Sequence, residues 1–94
     1  MIKKIGVGKA YILALEFKLL DKKLIVLRGR KGYIMCGYLN LSVAQKFGDC
    51  AAKITGVSNV KEALRARIHS CTYAAKRSGI HKGQSVRDAL AMIA

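Results

Sequence analysis

From Tyr11 onward the chain alternates with a period of two: Tyr11, Leu13, Leu15, Phe17 and Leu19 fall on one side, while Ala14, Glu16 and Lys18 fall on the other. Successive side chains of an extended strand point to opposite faces, so the pattern specifies a half-buried strand and fits no helix. A polar break, Leu20-Asp21-Lys22-Lys23, leads into the aliphatic run Leu24-Ile25-Val26-Leu27, which is of strand length and completes a hairpin. Arg28-Gly29-Arg30-Lys31-Gly32 supplies the next turn. The apolar run Tyr33-Ile34-Met35-Cys36 has glycine on each side and suits a central strand covered on both faces. A weaker strand, Ile2 to Val7, precedes these and pairs at the edge.

The period changes after Gly37. Asn40 is a helix cap, Leu41, Ala44 and Phe47 share one helical face, and Gly48 closes the helix in the left-handed conformation that glycine tolerates. Residues Cys50 to Thr55 read as a strand and Gly56-Val57-Ser58 as a turn. Ser58 or Asn59 then caps a helix running to about Leu64, and Asn59 followed three residues later by Glu62 strengthens that cap. Arg67 to Ser70 is ambiguous and fits a short strand. A helix from Thr72 to Ser78 stops at Gly79, with Ile80 as its hydrophobic contact. Ser85 with Asp88 marks a last cap, and Val86, Ala89, Leu90 and Ile93 form the apolar stripe of a C-terminal helix. The sum is an α+β fold in two layers: an antiparallel meander of three or four strands, then short helices alternating with one or two more strands.

Ninety-four residues make one domain, residues 1–94, with no room for a separate cofactor domain. Lys plus Arg number 18 against 5 Asp plus Glu, a formal charge of +13, so anionic partners are expected. The longest uncharged stretch, Gly32 to Gln45, has 14 residues, short of the roughly 20 that cross a bilayer, and no membrane association is expected. Lys3 and Lys4 are not followed by the apolar core of a signal peptide. Cys36, Cys50 and Cys71 are an odd set with no CxxC spacing, which argues against a disulfide framework and the common zinc modules. These features place the chain in the cytosol with reduced thiols. Exposed sheet edges favour a small homo-oligomer that covers them.

Several segments in order, Gly32-Tyr33-Ile34-Met35-Cys36-Gly37 with Leu39, Thr55-Gly56-Val57, Thr72-Tyr73-Ala74-Ala75, Gly79-Ile80, Gly83 and Arg87-Asp88-Ala89-Leu90, together resemble the YunC-like family of small bacterial and archaeal proteins, the DUF1805 domain. The resemblance spans residues 32–94. It implies a small α/β domain and no particular activity. This chain departs from the family pattern at Gln84 and Val86, which stand in methionine and glycine places, and at Cys71, where an aliphatic residue is usual.

Two site chemistries remain open at this stage. A thiol at Cys36, placed before a helix that begins near Asn40, is either a nucleophile or a small buried hydrophobe. In the first case Thr55 and the Gly56 backbone hold an anion, Arg87 orients the substrate and Asn40 is a further candidate ligand contact; in the second, Thr55 to Asn59 is an ordinary capped turn. The other chemistry is electrostatic: Arg28, Arg30, Lys31, Arg77, Lys82 and Arg87 are candidate contacts for a nucleic acid or nucleotide, or else part of a solvated basic surface. His69 and Cys71 form one loose pair without the second pair that a zinc site needs, so neither metal nor cofactor is expected. A non-enzymatic binding module for an anionic ligand is the leading reading, with a Cys36-dependent enzyme as its alternative.

Overall fold

A computed structural model describes residues 1–94. Four strands run up and down in sequence: β1 (Ile2–Val7), β2 (Ala10–Lys18), β3 (Lys23–Arg28) and β4 (Tyr33–Met35), each antiparallel to the one before. The first turn is two residues long, with Gly8 at φ +62°, the left-handed region that glycine occupies without strain. Helix α1 (Leu41–Phe47) then carries the chain across, so that β5 (Ala51–Lys53) joins β4 in parallel, as such a crossover requires. Helix α2 (Val60–Arg65), the two-residue strand β6 (Ser70–Cys71), α3 (Tyr73–Arg77) and α4 (Val86–Ile93) complete a six-stranded sheet in sequential order with four helices. The α+β architecture expected from the periodicities is the one observed. No helix is long and apolar enough to cross a membrane.

Helices α2, α3 and α4 pack on one face of the sheet. There Ile12, Ala14, Ile25, Leu27, Ile34 and Ile54 meet Val60, Ala63, Ala75, Val86, Leu90 and Ile93 in the main core. Helix α1 lies on the opposite face, where Ala44 closes over Met35 and Ala51. That leaves the stretch of this second face formed by β1 to β3 without a helix over it.

Two side-chain assignments differ from the sequence reading. On β2 the set turned to the helices is Ile12, Ala14 and Glu16, whereas Tyr11 and Phe17 are 51% and 55% exposed. Alternation specifies that a strand has two faces but not which one meets the helices, and here the small Ala14 admits them closely while the larger residues face away. Phe47 is 76% exposed and does not share the Leu41–Ala44 face. Six residues at about 100° each carry it roughly 120° around the helix from Leu41.

The caps form as their local chemistry dictates. Asn40 Oδ1 accepts from Ser42 N–H at 2.8 Å, Asn59 Oδ1 from Glu62 N–H at 2.8 Å, and Ser85 Oγ from Asp88 N–H at 3.2 Å. Thr72, 2% exposed, does more than cap α3: its hydroxyl accepts from Ala51 and Ala75 N–H and donates to the Asp49 carbonyl at 2.7 Å. One buried oxygen thus ties the edge of β5 to α3.

The end of α4 is pinned to the β3–β4 turn, where Lys31 N–H donates to the Ile93 carbonyl at 2.9 Å. A Cβ on Gly29 would collide with that same Ile93 carbonyl oxygen, whereas nothing lies within 4 Å of one placed on Gly37. Gly29→Ala is therefore expected to destabilise the fold by about 1–3 kcal/mol through forced separation of turn and helix. Gly37→Ala should leave the urea midpoint nearly unchanged, and equal midpoints for the two variants would refute the close-packing account.

Candidate functional site

A meander places its turns alternately at the two ends of the sheet. The β1–β2 and β3–β4 turns emerge at one end; the β2–β3 turn and the segments that follow β4 and β5 emerge at the other. Each end carries a cleft.

The larger cleft, about 850 Å³, opens beyond the carboxyl ends of the parallel pair β4 and β5. Ligands of open sheets commonly lie at such a place, because two loops diverge there from adjacent strands. Cys36, Gly37 and Tyr38 from the β4–α1 loop line it together with Gly56 to Asn59 from the β5–α2 loop, and Asp21, Lys22 and Lys23 close the side. Cys36 and Gly56, paired in the sequence reading, are brought to one cleft. Thr55, Asn40 and Arg87 are not among its lining residues. Thr55 is exposed, Asn40 is occupied in capping α1, and Arg87 is exposed on the first turn of α4. The Cys36 side chain is 3% exposed, packs within the main core, and its sulfur accepts a hydrogen bond from Ile25 N–H at 3.3 Å.

One wall of this cleft is fixed by a carboxylate from the sheet. Glu16 Oε1 accepts from Val60 N–H, the first amide of α2, at 2.8 Å, and Glu16 Oε2 pairs with Lys23 Nζ at 3.5 Å, the one ion pair in the structure. Glu62 Oε1 reaches back past the cap residue Asn59 and accepts from Ser58 N–H at 2.7 Å. The amide hydrogen bond from Val60, assisted by Lys23, holds the Glu16 carboxyl below its ordinary value of 4.5 against the opposing effect of burial.

The smaller cleft, about 320 Å³, lies at the other end and is cationic. Arg28 from the end of β3 and Arg30 from the β3–β4 turn line it with Lys9 from the β1–β2 turn, over a floor that includes Tyr11 and Leu13. Lys4 Nζ sits 4.6 Å from the centre of the Tyr11 ring, a cation–π contact across the hairpin. Of the expected anion contacts, Arg28 and Arg30 are thus brought together. Lys31 adjoins them in the same turn, its backbone N–H held by Ile93. Arg77 stacks over the Tyr73 ring at 5.0 Å on α3, and Lys82 and Arg87 are exposed in and after the loop that leads to α4, so these three do not join the cleft. The sequence reading missed Lys4, Lys9 and Tyr11. Their signal was present: in a meander the first and third turns share an end, which places residue 9 beside residues 28 and 30.

The other polar groups are accounted for locally. Tyr33 O–H donates to Asp49 Oδ2 at 2.7 Å, and burial together with that carboxylate pushes its pKa up to about 12. Burial likewise raises the Cys71 thiol, which donates to the Ile80 carbonyl at 3.7 Å. His69 Nδ1 lies 3.1 Å from Ser70 Oγ, and no three His, Cys, Asp or Glu side chains are grouped to hold a metal ion.

With this geometry in place, three comparisons bear on the chain. A family model described as Domain of unknown function (DUF1805) matches residues 35–93. The uncharacterized protein YunC of Bacillus subtilis (strain 168) is 35% identical over 81 residues, covering 82% of this chain and 80% of that protein. The crystal structure of a protein of unknown function, TA1206 from Thermoplasma acidophilum, is similar with a TM-score of 0.95 at 30% sequence identity, covering 100% of this chain and 92% of the other. The segment matched by the family model contains Cys36 and Gly56 but not Lys9, Tyr11, Arg28 or Arg30.

The Glu16 contact sets a pH dependence. A carboxylate held below its unfolded value stabilises the fold above that value, and the contribution is lost as pH falls through the folded one. Stability measured by urea unfolding should therefore decline as pH drops below 4.5. Glu16→Gln should cost about 1–3 kcal/mol at neutral pH, the worth of a hydrogen bond to a charged group, and flatten that acid limb. An acid limb as steep in the variant as in the parent would show that Glu16 is not its source.

Proposed function

The chain belongs to the DUF1805 family, a family whose shared description is of unknown function, and on that footing we propose that this member is a cytosolic, non-enzymatic binding module for an anionic ligand, a nucleic acid or nucleotide, held at the cationic cleft. One observation carries the reading: Lys9, Arg28 and Arg30 converge from two turns on one groove floored by an aromatic ring. The charge balance supports it. With 18 basic residues, 5 acidic ones and a single ion pair, nearly all the positive charge is left to act on solvent and ligands. Phosphates that displace counterions from such a surface bind with an affinity that falls steeply as salt rises. The free edge of β1 supports the small homo-oligomer that belongs to the same reading.

Fluorescence anisotropy of labelled RNA and DNA across a salt series tests this. The logarithm of the affinity should fall linearly with the logarithm of salt concentration, and Lys9→Ala/Arg28→Ala/Arg30→Ala should reduce that slope by about 2–3. No affinity at physiological salt, or an unchanged slope in the triple variant, would sink the proposal.

The second reading, a thiol enzyme using Cys36 as nucleophile, is favoured by one specific fact, the shared cleft of Cys36 and Gly56. Its burial in the core speaks for the plain structural role. Alkylation by iodoacetamide, followed by peptide mapping to separate Cys36 from Cys50 and Cys71, decides between them. An activated nucleophile should react faster than a free thiol in solution, whereas a core side chain should react only after the protein unfolds.

A further inference from the structure

The open part of the second sheet face combines two chemistries. Its apolar side chains, Tyr11, Leu13, Leu15, Phe17 and Val26, belong to neither packed cluster, and the two aromatics are about half exposed. Around them stand Lys4, Lys9, Arg28 and Arg30, and no Asp or Glu occupies this face of β1, β2 or β3. The surroundings of Tyr11 are specific. Its cross-strand partner is Gly6, beside which a Cβ would find nothing within 4 Å, so the ring borders bare backbone and open space. Lys4 holds the ring in position from across the hairpin. The groove of about 320 Å³ is at the small end of the roughly 300–1,000 Å³ usual for ligand pockets, room for one nucleotide and not for a helix.

Resting on the anionic-ligand reading, we infer that the cationic groove and its sheet face take single-stranded nucleic acid in preference to duplex, with one unpaired base stacked on Tyr11 and the flanking phosphates on Lys9, Arg28 and Arg30. A duplex keeps its base faces stacked inside, and its major groove admits a helix or a two-stranded ribbon but not a broad sheet. A single strand offers base faces and phosphates side by side, the pattern in which rings and cations alternate here. A second copy of this chain is a poorer occupant, because both faces would then carry cations and neither a carboxylate to pair with them.

The experiment compares short labelled oligouridine and oligothymidine strands with duplexes of the same length, by anisotropy at fixed salt. Single strands are expected to bind more tightly than duplexes. Tyr11→Ala should weaken single-strand binding about tenfold without changing the salt slope, and Tyr11→Phe, which keeps the ring, should bind within about twofold of the parent. Since Tyr11 is half exposed, both variants are expected to melt as the parent does. Equal affinity for strand and duplex, an unaffected Tyr11→Ala, or a Tyr11→Phe as weak as Tyr11→Ala would overturn the inference while leaving charge-dependent binding intact. Loss of the underlying reading looks different, as no binding at all or binding indifferent to the Lys9, Arg28 and Arg30 substitutions. A dimer in sedimentation that Tyr11→Ala dissociates would assign the face to a second copy instead and would likewise overturn it.

Discussion

The parallel pairing of β4 with β5 is the constraint on which both ends of this molecule depend. Up to Met35 every connection is a hairpin or short turn, and each new strand reverses direction. A fifth strand added by another hairpin would have sent its following loop to the opposite end. The crossover through α1 makes β4 and β5 point the same way, so the loops after both strands leave side by side and enclose the larger cleft. The crossover also uses one face of the sheet for α1 and commits α2, α3 and α4 to the other. The uncovered face over β1 to β3 follows directly, because no helix remains to cover it.

Contacts that bind this arrangement are few and differ in kind. Glu16 reaches from β2 to the first amide of α2, Thr72 ties β5 to α3, and Lys31 holds the end of α4. Each joins segments far apart in sequence by a polar bond at the margin of an aliphatic core. The core supplies most of the favourable burial and is tolerant of shape, whereas such bonds demand one geometry. They fix where helices sit on a sheet whose apolar surface alone would accept several placements.

How much of this could be read from the sequence varies with the range of the interaction involved. Caps at Asn40, Asn59 and Ser85 and stops at Gly48 and Gly79 are chemistry within one turn of chain, and all were legible. The meander was legible because alternation, aliphatic runs and turn residues agreed. The orientation of β2 was not, since Ile12 and Ala14 compete with Tyr11, Leu13, Leu15 and Phe17 and only the arriving helices decide. Phe47 was misassigned by extending a three-residue step beyond the range in which it tracks a helical face. At the sites, Cys36 and Gly56 line one cleft, while Thr55 and Arg87, grouped with them in the sequence reading without a topological reason, do not. The companion of Arg28 and Arg30, Lys9, was hidden in a turn far earlier in the chain, visible only once the ends of the meander are traced.

The edge strand β1 has a consequence for how the protein behaves in concentrated solution. Its outer backbone groups pair with no other strand, and such an edge is a template for intermolecular pairing. Lys3 and Lys4, on a chain of charge +13, oppose that pairing by repulsion. Repulsion between surface charges is screened over about 10 Å at 0.1 M salt and about 3 Å at 1 M. Strong salt therefore lowers the barrier that keeps neighbouring edges apart. Colloidal stability in this chain is thus governed by one screening length, and the buffer of lowest ionic strength is the one that keeps it best dispersed.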